Sequence, residues 1–161
     1  MTIVVTDGKV MAADTLIDDN GSKYYAPKIF IGKASIIGVS GDYMQARQFV
    51  RWFSDRRAKK PKGDWECLVW TPKSGLEIWT QEFEPLPFTG EFWAVGSGRD
   101  AALGSMYAGA HPTQAAAIAC KISEGCGGSV DAIPLNKESL KMQDTRYRLV
   151  EVEHGDERVT T

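Results

Sequence analysis

The first residue whose type and place could do chemistry is Thr2, directly behind the initiator Met1. A small second residue permits removal of the methionine, which would leave a threonine carrying a free α-amine. Such an amine is one of the known activators of a hydroxyl nucleophile. It titrates near pH 8 (roughly 7.7 when unperturbed), so it can take the hydroxyl proton at physiological pH. A neighbouring lysine would keep the amine neutral by charge repulsion, and a carboxylate would fix that lysine in place. Asp14 and Lys28 are the candidates for these two roles. Methionine followed by threonine is common, and without context Thr2 reads as an ordinary strand residue. The chemistry needs three adjacent strands that set Thr2, Asp14 and Lys28 side by side.

Other chemistries find less support. Gly96-Ser97-Gly98 lacks a third glycine at dinucleotide spacing, and no Gly-Lys-Ser/Thr follows, so neither a Rossmann nor a phosphate-loop reading stands. Gly38-Val39-Ser40-Gly41 has the wrong spacing for a nucleophile elbow. His111 and His154 are isolated, which makes a Ser-His-Asp triad hard to build, and both read as surface or capping residues. Cys67, Cys120 and Cys126 are odd in number and form no C-x-x-C pair. A structural zinc or a disulfide framework is therefore not expected, and no metal or cofactor is implied.

The elements that must position the candidates follow from pattern. Thr2 to Thr6 is β-branched, Asp7-Gly8 is a hairpin dipeptide, and Lys9 to Ala13 returns. Asn20-Gly21 marks a second turn. Lys28 to Ile31 and Ala34 to Val39 form a further pair around Gly32-Lys33, the second member apolar enough to be buried on both faces. Ala46, Phe49, Val50 and Phe53 then repeat at helical spacing, which predicts a helix over 42–57 capped by Asp42. Its basic end, Arg56 to Gly63, reads as a solvated helix terminus. Trp65 to Thr71 and Leu76 to Phe83 form another hairpin, and the tryptophans there read as core or interface anchors. Glu91 to Val95 leads into two small-residue helices, at about 99–109 and after His111-Pro112-Thr113. A strand near 129–133, a short polar stretch and a final strand from Tyr147 to Glu153 complete the chain. The order argues for an α+β fold with helices gathered on sheet faces.

With 161 residues the chain fits a single domain, 1–161. Apolar residues at 43% and charged residues at 25% are ordinary for a soluble globular protein. A formal charge of −2 gives no overall pull on nucleic acid, and no apolar run is long enough to span a membrane. No secretory signal is visible, so a cytoplasmic location is expected.

Several blocks together resemble a known family. Thr2-Ile3-Val4-Val5, Met11-Ala12-Ala13-Asp14-Thr15, Lys28-Ile29-Phe30, Gly38-Val39-Ser40-Gly41 and Val95-Gly96-Ser97-Gly98 are similar, in order and spacing, to the signatures of proteasome β-type subunits. Gly127-Gly128-Ser129-Val130 continues the series. In length the chain resembles the bacterial ring peptidase HslV and short proteasome-like proteins, phage-encoded ones included. The resemblance implies a four-layer αββα sandwich of the N-terminal-nucleophile hydrolase type, acting as a threonine peptidase without metal or cofactor. Thr2 would be the nucleophile, Lys28 would tune its amine, Asp14 would orient Lys28 and Ser97 would hydrogen-bond the amine. The backbone N–H of Gly41 would serve the oxyanion. Expected partners are further copies in a hexameric or heptameric ring, single or double, peptide or protein substrates, and a separate ATP-dependent unfoldase.

The sequence departs from the family in one stretch. Where an Asp usually stands three residues ahead of a Ser or Thr, the chain has Ser123 at the acid's place and Cys126 at the hydroxyl's, with Glu124 as a substitute if the backbone shifts. Retention of Met1 would leave Thr2 without its amine. Two rival readings therefore stand beside the peptidase: a catalytically silent ring subunit or protease-binding partner, and an amidase acting on a small amide.

Overall fold

The computed structural model describes residues 2–86 and 89–149. The amino-terminal residues form β1 (Val4–Thr6) and β2 (Val10–Asp14), then β3 (Leu16–Asp19) and β4 (Ser22–Tyr25). Next come β5 (Ile29–Ile31), β6 (Ile36–Gly41), α1 (Tyr43–Ser54), β7 (Trp65–Thr71) and β8 (Gly75–Thr80). The chain continues through β9 (Trp93–Val95), α2 (Arg99–Tyr107), α3 (Pro112–Ile122) and β10 (Val130–Pro134), and two short 3-10 turns follow. All strand pairs are antiparallel. One sheet has the order β10-β2-β1-β9, a second β5-β6-β7-β8, and β3-β4 stand apart as a two-stranded ribbon. The fold class is α+β, as expected.

Period-two alternation sorts the side chains among three apolar clusters. On the first sheet Val4, Met11 and Ala13 face one way, meeting Ile36 and Leu68 of the second sheet in the cluster between them. Ile3, Val5 and Ala12 face the other way, beneath α2 and α3. Four alanines of those helices, Ala102, Ala115, Ala116 and Ala119, are fully buried there, so the helices approach the sheet closely. On the second sheet Ile37, Val39, Cys67 and Val69 meet Phe49, Trp52 and Trp65 of an aromatic cluster under α1. Phe49 stacks on Trp65 with ring centroids 4.6 Å apart. Both sheets are thus covered on two faces, which explains the near-continuous apolar runs of β1 and β6.

Local chemistry sets the boundaries. Asp42 caps α1 by accepting the N–H of Gln45 at 3.1 Å. The helix stops at Ser54, three residues before the expected end, because Asp55 takes an extended backbone (φ −141°) and its carboxylate accepts the N–H and Nε of Arg57. β8 ends at Thr80 rather than Phe83, whose φ of +57° leaves the strand region. His111 caps α3 through Nδ1, which accepts the N–H of Thr113, and Gln114 closes the reciprocal bond. The final strand expected at Tyr147–Glu153 does not begin there. Tyr147 closes a 3-10 turn capped by Asp144, and residues 150–153 and His154 lie outside the described residues. Among the described residues no helix is long and apolar enough to cross a membrane.

Candidate functional site

Strand register does most of the positioning. β1 pairs with β2 through Val4↔Ala13 and with β9 through Val4↔Val95. Continuing both registers toward the chain start sets Ile3 opposite Asp14 and Thr2 opposite Ser97. The bonds follow this reading: Asp14 N–H donates to the Ile3 carbonyl at 3.2 Å, and Thr2 N–H donates to Ser97 Oγ at 3.2 Å. Ser97 Oγ in turn reaches the Thr2 carbonyl at 3.4 Å, and the N–H of Gly98 donates to that carbonyl at 3.2 Å. The backbone of Thr2 is therefore clamped from the β9 side by two successive residues.

Lys28 arrives from the other sheet. It precedes β5, its carbonyl accepts the N–H of Val39 at 2.8 Å, and its side chain crosses to Asp14. Asp14 Oδ1 accepts Lys28 Nζ at 2.7 Å, Thr2 Oγ1 at 2.8 Å and the N–H of Ile3 at 3.1 Å. Asp14 Oδ2 accepts the N–H of Gly127 at 3.0 Å. Lys28 is 2% exposed and Asp14 0%, so water contributes nothing to this pair and the four donors must satisfy the carboxylate. Burial pushes the Lys28 ammonium below the ordinary lysine range, and the adjacent Asp14 carboxylate pulls back against that shift.

Gly41 lies at the strand-to-helix turn between β6 and α1 with φ +83°. A Cβ there would fall 2.6 Å from the Asp64 carbonyl oxygen, so only glycine fits. Gly41 and Thr2 line one cleft of about 560 Å³, bounded by the β3-β4 ribbon and the start of α1. Cys126 is buried, and its thiol touches the Ser97 side chain. Burial and the nearby Asp14 raise that thiol's pKa, keeping it protonated, and burial pushes Cys120 up to about 11.

Thr2, Asp14, Lys28 and Ser97 are thus brought together, with Gly41 on the same cleft and Cys126 behind Ser97. Ser123 and Glu124 are not joined to them. Ser123 is half-buried and closes α3 with its backbone N–H on the Ala119 carbonyl, and Glu124 is exposed. Among the described residues no hydrogen bond links either side chain to the cluster. Two glycines that the sequence blocks contain without a site role also touch the cluster. Gly127 supplies the N–H on Asp14 Oδ2. Gly96, at φ +103°, lies so near Thr2 that a Cβ would collide with the Thr2 carbonyl. Their signals were present as a helix-breaking Gly-Cys-Gly-Gly and a Gly-Ser-Gly, but what they touch is set by residues far away in sequence. Gly96→Ala is expected to cost roughly 2–4 kcal/mol in urea denaturation. Gly104→Ala, inside α2 with open space at the Cβ position, is expected to gain about 0.5–1 kcal/mol in the same assay.

No group of three or more His, Cys, Asp and Glu side chains that could hold a metal ion occurs among the described residues. No protein-family model and no curated protein matches the sequence. Solved structures do match in fold. A bacterial proteasome homologue, Thiobacillus denitrificans BPH in complex with epoxomicin, is 20% identical over 84% of this chain and all of that chain, with a TM-score of 0.64. The eukaryotic HslV from Trypanosoma brucei is 18% identical over 84% of this chain and 98% of that chain, with a TM-score of 0.60. With register, turns and pairing already consistent with the sequence blocks, this likeness gives the chain the fold shared by the bacterial proteasome homologue and HslV.

Proposed function

We propose that the chain is a threonine peptidase subunit that hydrolyses amide bonds through Thr2 after removal of Met1. The observation that carries this reading is one buried carboxylate oxygen, Asp14 Oδ1, accepting both the Thr2 hydroxyl and the Lys28 ammonium. An ordinary strand threonine has no use for a fully buried lysine beside it, since burying that cation opposes folding.

In the proposed reaction the Thr2 hydroxyl oxygen attacks the substrate carbonyl while its proton passes to the freed α-amine. Negative charge then develops on the former carbonyl oxygen and is received by the Gly41 N–H; losing such a donor typically costs on the order of 10²–10³ in rate. Collapse breaks the C–N bond, and the leaving amine takes the proton from the α-amine. Water then attacks the resulting ester and gives a proton to the α-amine; the C–Oγ bond breaks, the Thr2 oxygen takes that proton, and the acid product leaves. Lys28 keeps the amine unprotonated, Asp14 fixes Lys28 and the hydroxyl, and Ser97 holds the Thr2 nitrogen, with Cys126 packed behind it.

The fold supports a four-layer αββα arrangement in a single domain, since α1 covers one sheet and α2 and α3 the other. We assign the subunit to a homo-oligomeric ring in the cytoplasm, cleaving peptides without metal or cofactor and served by a separate ATP-dependent unfoldase. A second reading, a silent ring subunit, is favoured by one observation: neither Ser123 nor Glu124 joins the cluster from the stretch where the resemblance places an acid.

Intact-mass analysis before and after epoxomicin separates the two. The peptidase reading expects loss of one methionine and one adduct on the amino-terminal peptide. Thr2→Ala should form no adduct and lose on the order of 10³-fold or more in peptide turnover, with its oligomeric state unchanged. Retained Met1 without adduct, or unchanged turnover in Thr2→Ala, overturns the peptidase reading.

A further inference from the structure

The cleft that opens on Thr2 carries three exposed carboxylates. Asp18 and Asp19 come from β3, and Asp42 from the turn into α1, and all three are exposed at its lining. Their hydrogen bonds are local. Asp18 accepts the N–H of Gly21, Asp19 the side chain of Asn20, and Asp42 the N–H of Gln45. Among the described residues none of the three closes an ion pair. Lys23 stands opposite Asp18 in the β3-β4 register and forms no salt bridge with it. Among the described residues the one cation of the lining is Lys28, which is buried and held by Asp14 at 2.7 Å.

Apolar surface shares the lining with these carboxylates and Thr2. Ile17 is half-buried and Met44 exposed, and Tyr24, 57% exposed, belongs to the same cleft. A cleft lined by apolar side chains, exposed carboxylates and an aromatic ring suits a long aliphatic stem with a cationic head. The stem is desolvated along the walls while the head stays hydrated at the rim. A guanidinium also gains from the tyrosine face.

We propose that this cleft takes the basic side chain, Arg or Lys, of a peptide substrate on the acyl side of the bond cleaved. Asp18, Asp19 and Asp42 are then specificity-determining residues. The inference deepens the peptidase reading and rests on it for the bond that is cut. Its binding half is measurable without turnover.

Three short peptides that differ only at that residue, Arg, Leu or Glu, are titrated onto the Thr2→Ala protein by calorimetry. The Arg peptide should bind about tenfold tighter than Leu, with Glu weakest, because several solvent-exposed charges each contribute a modest amount. The preference should shrink in 1 M salt, where the screening length falls to about 3 Å. The triple variant Asp18→Asn, Asp19→Asn, Asp42→Asn keeps the local acceptor atoms, and asparagine caps a helix about as well as aspartate. It should bind Arg and Leu peptides alike. Equal affinities in the Thr2→Ala protein, absence of Arg binding, or an Arg preference that survives in the triple variant overturns the proposal. Arg-selective binding without turnover by the Met1-free wild type upholds the cleft's selectivity and overturns the peptidase reading. Turnover without Arg selectivity does the reverse.

Discussion

Asp14→Ala is expected to lower stability by roughly 3–5 kcal/mol and to abolish peptide turnover, the largest combined effect of any single substitution in the site. Asp14 is completely buried and is the common acceptor for Lys28, Thr2, Ile3 and Gly127. Without it the Lys28 ammonium is left as an uncompensated buried charge, and the N–H groups of Ile3 and Gly127 lose their partner. For a chain of this size such a loss corresponds to a fall in Tm of roughly 10 °C. The double variant Asp14→Ala, Lys28→Met tests the cause. Removing both partners of a buried pair costs much less than removing one, so the double variant should recover a large part of the lost stability while activity stays absent. Urea midpoints at constant m-value read the stabilities, and a peptide assay the activity. If the double variant is no more stable than Asp14→Ala, the cost lies in the backbone bonds to Ile3 and Gly127 and not in the stranded cation.

Much of this site was legible because local rules and global fold agree. The β-branched start, the Asp7-Gly8 and Asn20-Gly21 turns and the apolar Ile36–Val39 run are local signals, and each strand formed where they pointed. Asn20 and Gly21 both have positive φ, as a two-residue hairpin turn of this kind demands. Once β1 and β2 are paired, register sets Ile3 opposite Asp14, and the Asp14 carboxylate reaches the Thr2 hydroxyl one residue away.

The meeting of Lys28 with Asp14 does not follow from register, because the two lie on different sheets; it was foreseen through the ordered family blocks. Gly127 on Asp14 Oδ2 and Cys126 against Ser97 depend on the chain returning after α3, and no periodicity encodes that return. The expected final strand does not begin at Tyr147, for a physical reason of its own, and residues 150–153 lie outside the described residues. The apolar alternation after Tyr147 reads as β, but Asp144 caps a 3-10 turn there, and Arg146 turns aside to Asp131 at 3.0 Å. A side-chain cap and a tertiary ion pair outweighed a short propensity signal.

Lys28→Met is expected to lower kcat/KM by at least about 10²-fold, the scale of one positioned proton-transfer element, and to remove one segment of the pH dependence of stability. Methionine keeps much of the volume and removes the charge. The sign follows from the direction of the shift. Lys28 titrates below the ordinary lysine value of 10.5 in the folded protein because burial disfavours its charged form. Between that lowered pKa and about 10.5 the unfolded chain holds a proton that the folded chain has released, so stability rises with pH across the window. Below the folded pKa both states are protonated and the gain is absent. Cys120 acts in the opposite sense. Its thiol, raised from 9.0 to about 11 by burial, ionises first in the unfolded chain, and stability falls with pH across that range. The two slopes overlap, so the quantity to measure is the difference between wild type and Lys28→Met in urea denaturation at several alkaline pH values, in which the Cys120 slope largely cancels. That difference should grow in favour of the wild type as pH rises toward 10.5. A flat difference would mean that Lys28 keeps its proton throughout, and an ammonium that never becomes neutral could influence the Thr2 amine only as a fixed charge.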